Sequence, residues 1–411
     1  MQKLIANNEK IKGDWLVYLL LLTSVDTVAF GTNSNRVMLF IPRIVGALFI
    51  ILFPIVTKKL TKINLRLGVV ALILCGLIAI SSYVNNAEVV SALSRIIMVL
   101  VAFSLANCME LRDFAKLFCR FMYFISCVAI ITEILAYTLP SIFSIFPVVV
   151  NTASLSFPFF GIGAVDLNYS LIRSMSIFWE AGACAIYVII AIMFQLFVCN
   201  EPEKRKLIVY TITLLITFST TGYIAIFALL LVYVLFSNNK YAMKYKVPII
   251  SALTIAIIAV FMAENSFLYD MVFAKITDRY STSVVRYASI VNGFEIALEN
   301  PILGVSSENL RAEMVRHAMA TTKFQFGANP MNTNTVTALC ASYGLLFGGI
   351  FLTGTFKFFR KFTKSTISAI ALFVVLMLCY CGEYFYSFLP FIFTFYGFTY
   401  RGWSYYEDFS D

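Results

Sequence analysis

The sequence predicts an all-α, polytopic integral membrane helical bundle of about 12 transmembrane helices with a large external loop. Three observations carry that prediction. Of 411 residues, 60% are hydrophobic and 13% charged, whereas a soluble domain is about 45–50% apolar and about 25% charged. The apolar residues fall in near-uncharged runs about as long as a hydrocarbon core is thick. Those runs are apolar on every face, which excludes the alternating strands of a membrane barrel and leaves helices.

The runs predict spans at roughly 15–31, 38–56, 67–84, 89–106, 114–138, 179–199, 207–220, 222–236, 247–264, 335–356, 366–382 and 384–400. Residues 1–14 are polar and carry Lys3, Lys10 and Lys12. The run that follows lacks a small-x-small cleavage site, so it is expected to be a retained first span, not a signal peptide. Basic residues gather on one side: the N-terminus, Lys58/Lys59/Lys62/Arg66, Arg112/Lys116/Arg120, Lys204/Arg205/Lys206, Lys240/Lys244/Lys246, Lys357/Arg360/Lys361/Lys364 and Arg401. The positive-inside rule then puts both termini in the cytoplasm. It also divides 207–236 into two spans at Ser219-Thr220-Thr221-Gly222, because one long helix would place every later basic loop on the wrong face. The whole chain, 1–411, is expected to be a single transmembrane domain.

Two external segments, 139–178 and 265–334, are too long to be plain connectors. Within the second, Thr282 or Ser283 is suited to cap a helix from Val284 to Glu299 that carries Tyr287, Ile290, Phe294 and Ala297 on one stripe, which can lie on the membrane surface or on the bundle. Asn300-Pro301 ends it.

Several function classes are excluded. The net charge of +9 lies in short loops on one face, which argues against a nucleic-acid partner. All nine cysteines fall in predicted spans or cytoplasmic loops, so no external disulfide framework is expected, and Cys379-x-Cys381 is read as packing. One histidine cannot build a His-based metal centre. Walker A and GxGxxG motifs are absent, so no nucleotide or other cofactor is expected.

Ionisable residues at membrane depth are functional candidates by default. Arg173 and Glu180 bracket the start of the sixth span in Arg173-Ser-Met-Ser-Ile-Phe-Trp-Glu180. The long segment supplies Arg279, Arg286, Arg311, Arg316, His317 and Lys323. Arginines beside a bilayer suit a diphosphate, because the planar fork binds phosphate oxygens bidentately and stays charged. His317, the only histidine, suits a general base by its residue type; Glu180 is the other candidate for that role. A loop salt bridge or a headgroup contact is the plainer role for each arginine. Asp26, Arg95, Glu133 and Glu383 lie near predicted span ends, where structural or interfacial roles are expected.

Four stretches resemble the bacterial O-antigen polymerases and O-antigen ligases. Arg173-Ser-Met-Ser-Ile-Phe-Trp-Glu-Ala-Gly182 is similar to that superfamily's Arg-to-Phe-Glu-x-Gly start of a span. Thr217-Phe-Ser-Thr-Thr-Gly-Tyr223 is similar to its Ser/Thr-rich, Gly-containing span start. The helix from Arg286 to Glu299-Asn-Pro-Ile-Leu-Gly-Val305 resembles its amphipathic helix and Asn-Pro-x-x-Gly turn. Asn334 and Gly344-Leu-Leu-Phe-Gly348 resemble its span after the large external loop. Thr333 stands where the ligases usually place a histidine, and Thr221 stands near an arginine often seen in the Ser/Thr-rich motif. Both departures favour the polymerase.

The resemblance implies a metal-independent, GT-C-like glycosyltransferase of the inner membrane, active on the periplasmic face. It would polymerise undecaprenyl-diphosphate-linked oligosaccharide repeat units in lipopolysaccharide O-antigen biosynthesis. Its partners would be those glycans, membrane lipid and a chain-length regulator protein. Arg173 and Arg286 would contact the diphosphate. Arg279, Arg311 and Arg316 would help or contact sugars, Asn334 would bind substrate, and Glu180 or His317 would be the base. The rivals are an O-antigen ligase or other surface-polysaccharide polymerase and, from another class, a lipid-linked sugar transporter or flippase. No internal repeat of the kind transporters show is evident.

Overall fold

The structure is a computed structural model that describes residues 13–24, 26–31, 36–59, 63–150, 156–158, 163–166, 172–199, 202–236, 282–320, 333–363 and 365–399. The predicted span 247–264, together with Arg279 and Lys323, lies outside the described residues. The architecture is predominantly helical. In chain order the helices are α1 (Asp14–Leu22), α2 (Val28–Gly31), α3 (Arg36–Val56), α4 (Leu65–Val84), α5 (Val89–Cys108) and α6 (Leu111–Thr138). Next come α7 (Ala181–Met193, which widens into a π-helical turn at Phe194–Val198), α8 (Lys204–Ile216) and α9 (Thr220–Phe236). Then follow α10 (Thr282–Glu299), α11 (Leu310–Ala320), α12 (Thr335–Tyr343), α13 (Leu345–Arg360), α14 (Thr366–Gly382) and α15 (Leu389–Phe398). Among the described residues, α4, α5, α6 and the continuous stretch Ala181–Val198 are long and apolar enough to cross a membrane; Phe40–Val56, α9, α14 and α15 are shorter apolar helices.

Three predicted spans are interrupted. The first is two helices, because Thr23, Ser24, Asp26 and Thr27 offer the backbone other partners. The Thr23 hydroxyl donates to the Leu19 carbonyl at 2.7 Å. The Val28 N–H donates to the Ile177 carbonyl at 2.8 Å, and Thr27 forms an antiparallel bridge with Phe178. The span at 335–356 breaks at Gly344, whose φ is +88°. The last begins only at Leu389, which leaves residues 383–388 as a non-helical connector after α14. By contrast, 207–236 forms two helices, as the charge bias requires. The segment 139–178, expected to be external, is not purely helical. A 3-10 turn at Pro140–Ile145 precedes β1 (Val148–Val150) paired with β2 (Ser156–Pro158), and β3 (Ala164–Asp166) paired with β4 (Arg173–Ser176), both antiparallel.

The chain divides into two compact units: Met1–Ala71 with Ile97–Ile216 and Ser387–Thr399, and Leu72–Ile96 with Thr217–Tyr386 and Tyr400–Asp411. The first unit has an aromatic core in which Phe114, Phe118, Phe194, Phe393 and Tyr396 meet, mostly edge-on or tilted, the preferred geometry for ring quadrupoles. There α8 docks on α6, with the Tyr210 hydroxyl donating to the Cys119 carbonyl at 2.6 Å. The second unit packs α10 and α11 over α12, with Ile296, Ala297, Val305, Leu310, Met314, Ala338 and Ala341 as its core.

Of the two places open to the stripe, the structure keeps its large residues off the bundle, and α10 buries another face. Ala288, Ser289, Asn292, Ile296 and Ala297 are buried, whereas Tyr287 and Phe294 are 57% and 53% exposed. Small side chains on that face let the helix backbones approach closely. A Cβ at Gly293 would lie 2.8 Å from the Thr337 Oγ1, so α10 and α12 approach at the limit that a glycine permits.

Candidate functional site

In the second unit, three of the four motif stretches converge on the connector after α14. The Ser/Thr-rich turn positions Thr221. The Ser219 hydroxyl accepts from the Gly222 N–H at 3.2 Å, which caps the start of α9. Gly382 then lets α14 come close, since a Cβ there would sit 2.6 Å from the Thr221 Cγ2. Arg286, in the second turn of α10, donates from Nη1 to the Thr221 hydroxyl. Its Nη2 lies 3.5 Å from Glu383 Oε1; the arginine side chain is 30% exposed and the glutamate 8%. Thus Arg286 faces outward and Glu383 lies behind it.

The Asn334 stretch completes the arrangement. Its side-chain oxygen caps α12 by accepting from the Thr337 N–H at 2.8 Å, and its Nδ2 lies 3.3 Å from the Cys381 Sγ. The Thr335 hydroxyl donates to the Glu383 carbonyl at 2.7 Å and accepts from the Phe385 N–H at 3.1 Å. Thr333 reaches α10 through its N–H, 2.9 Å from the Ser289 hydroxyl, one turn from Arg286. Two of the connector's backbone groups, the Glu383 carbonyl and the Phe385 N–H, are thus met by one threonine hydroxyl, as buried polar groups require.

Two glycines lock the Asn-Pro-Ile-Leu-Gly turn to the break between α12 and α13. Gly304 has φ +66°, and a Cβ there would collide with the Ala341 and Ser342 backbone; one at Gly344 would collide with the Ile302 carbonyl. With the backbones this close, the Val305 and Ser306 N–H groups donate to the Ala341 and Ser342 carbonyls, each at 2.9 Å, and the Leu345 N–H donates to Pro301 at 2.7 Å. From before α5, the Asn85 Nδ2 donates to the Gly304 carbonyl at 3.1 Å, and the Asn309 Nδ2 donates to the Asn85 carbonyl at 2.9 Å.

His317 lies elsewhere in this unit. Its Nε2 is 3.1 Å from Glu299 Oε2 and its Nδ1 is 3.7 Å from Glu295. These are nine and thirteen positions beyond Arg286, about 14–20 Å along a helix that rises 1.5 Å per residue. Arg316 shares Glu299 at 3.3 Å and pairs with Glu313 at 2.6 Å; the Glu313 hydrogen bond holds this exposed guanidinium still further above its ordinary pKa. Arg311 is exposed in the first turn of α11. The structure therefore brings Arg286 and Asn334 onto one connector and pairs Arg316 with His317, but keeps these two groups apart.

In the first unit, Arg173 opens β4 and is half-buried; Glu180 is the N-cap residue of α7. The buried Asp26 carboxylate accepts from the Tyr187 hydroxyl at 2.5 Å, and the Trp179 N–H donates to the Asp26 carbonyl at 3.3 Å. The broken first span thereby ties down the segment between Arg173 and α7. Glu133, in α6, is buried as well.

Sequence reasoning gave Glu383 and Arg95 structural or interfacial roles and did not foresee their partners. Arg95 is fully buried. Its guanidinium carbon lies 3.4 Å from the Tyr386 ring centroid and 5.5 Å from that of Tyr384, whose hydroxyl accepts from Nη2; Tyr343 is beside it too. The available signal was the general one: a charge in an apolar run, here next to the Gly382-Glu383 break and a Tyr-Phe-Tyr run.

No curated protein matches the chain. Residues 207–338, which include Thr221, Arg286 and Asn334, match the family described as O-antigen ligase, and this stretch is consistent with the O-antigen polymerase/ligase superfamily that the motifs resemble.

Proposed function

We propose that the chain is an O-antigen polymerase, a glycosyltransferase that extends a glycan held on undecaprenyl diphosphate. The observation that carries this reading is Arg286, a motif residue inside the matched stretch, half-exposed and held by Thr221 and Glu383. The acceptor hydroxyl of a lipid-linked repeat unit attacks the anomeric carbon of the donor. The new C–O bond forms as the bond to the diphosphate breaks, and the lipid diphosphate leaves with the electron pair. Negative charge grows on that leaving group, so a fixed guanidinium beside it lowers the barrier without a metal. The diphosphate already activates the donor, so ATP is not needed.

In this reading the protein is a twelve-span, GT-C-like bundle in a bacterial inner membrane, with cytoplasmic termini and a periplasmic active face. Arg286 contacts the diphosphate. Arg279, Arg311 and Arg316 assist or contact sugars, and Asn334 helps to hold the substrate. Arg173, as a second positive charge, and Glu180 or His317, as the base for the acceptor proton, remain the candidates that the resemblance implies. A chain-length regulator is the expected protein partner.

The matched family's description favours a second reading, an O-antigen ligase whose acceptor is the lipid A core. Thr333 in place of the ligases' usual histidine weighs against it. Reconstitution separates the two. Purified protein in liposomes is given undecaprenyl-diphosphate-linked repeat units and a chelator, and the products are run on a gel. A ladder of longer lipid-linked glycans is expected. Transfer only after addition of lipid A core would replace the polymerase with the ligase; no transfer to either acceptor would sink both.

A further inference from the structure

We propose that Glu383 is the positioning residue for Arg286, fixing its guanidinium for a diphosphate oxygen and acting on turnover only through that arginine. The proposal rests on the reading of Arg286 as the diphosphate contact. Both terminal nitrogens of the guanidinium have a fixed neighbour, the Thr221 hydroxyl at Nη1 and the Glu383 carboxylate at Nη2. Two anchors on two elements, α9 and the connector after α14, hold the plane of the fork. A long, flexible side chain would otherwise lose conformational entropy each time it engaged its ligand.

At 3.5 Å from Nη2 the carboxylate lies within ion-pair range, close enough to align the guanidinium. Exposure fits that role, with Glu383 buried behind and Arg286 reaching outward.

The connector has anchors other than the carboxylate. Its backbone is bonded separately through Thr335, Cys381 is met by Asn334, and Gly382 sets the approach of Thr221. Replacing the carboxylate by the isosteric amide therefore removes the charge and leaves these contacts. That separation makes a positioning role measurable apart from a structural one.

The test uses the full chain in liposomes with undecaprenyl-diphosphate-linked repeat units, and compares wild type, Glu383→Gln, Glu383→Asp, Arg286→Ala and the Glu383→Gln/Arg286→Ala double variant. Folded protein is quantified by gel filtration and thermal melting. Glu383→Gln is expected to lower kcat about tenfold or more while KM moves less than about threefold, because alignment matters most where charge develops. Glu383→Asp should recover part of the rate, and the double variant should be no slower than Arg286→Ala alone. Wild-type kcat in folded Glu383→Gln, or a double variant slower by the product of the two effects, would overturn the proposal. Should Glu383→Gln fail to fold, Glu383→Asp decides: a reduced kcat at constant KM supports positioning, and an unchanged kcat removes it. A silent Arg286→Ala defeats the diphosphate reading and this proposal with it. A severe Arg286→Ala beside a silent Glu383→Gln defeats the positioning role alone.

Discussion

At the scale of single residues, Gly304 and Gly349 make opposite cases. Gly304 combines a positive φ with backbone on the side where a Cβ would project, whereas a Cβ at Gly349 meets nothing within 4 Å. Gly304→Ala should destabilise the protein by at least about 2 kcal/mol, from strain and collision together. Gly349→Ala, within α13, should instead raise stability by about 0.5–1 kcal/mol. Thermal melts in detergent would order the two variants, and equal shifts would remove the argument from φ. Asn334→Ala removes the cap of α12 and should cost about 1 kcal/mol, measured in the same way. Arg286 and Asn334 were legible in the sequence because each sits at a fixed offset from a turn or span start. Glu383 was not, because its chemistry depends on Thr221 and Arg286, which are distant in sequence and unmarked by spacing. At the position near the superfamily's motif arginine, this chain has the threonine that holds Arg286.

Among the elements, α10 shows which part of a helix the sequence reveals. Its C-terminal end followed from Asn300-Pro301, and its length from the apolar pattern. Its buried face did not follow, because a stripe of large apolar residues suits either a membrane surface or a bundle; Ala288, Asn292, Gly293 and Ala297 are the residues buried. We expect Gly293→Leu to force α10 from α12 and lower the melting temperature by several degrees, with Phe294→Ala nearly silent; the reverse order would restore the expected stripe. A second element-level expectation concerns Asn85. Asn85→Ala deletes the donor to the Gly304 carbonyl, so amide hydrogens of 304–310 should exchange faster while those of α12 keep their protection.

For the whole molecule, composition and block pattern sufficed to identify a membrane protein, because lipid changes the make-up of every outward surface. The interruptions were harder to foresee. Residues 23, 24, 26 and 27, Gly344 and 384–388 sit inside predicted spans, and the backbone in or next to each meets a partner remote in the chain: Ile177, the Pro301 carbonyl and Thr335 respectively. Orientation is open to direct measurement. Reporters fused at residue 1 and at residue 411 should both report cytoplasm, and one inserted in 139–178 should report the opposite side. Two reporters of opposite sign at the termini would change the span count by an odd number.

The tyrosine cage around Arg95 also sets a schedule for biogenesis. A buried arginine in an apolar helix costs about 2.5–3.5 kcal/mol at the translocon, and Tyr384, its hydroxyl partner, follows 289 residues later. At about 5–20 residues per second, a ribosome needs roughly a quarter of a minute to a minute to deliver that partner. During that interval α5 carries its charge without the cage, so nascent chains ending before residue 343 should be markedly easier for membrane proteases to clear than the finished protein. Arg95→Leu should let the truncated chain persist and leave the complete one with an empty cage.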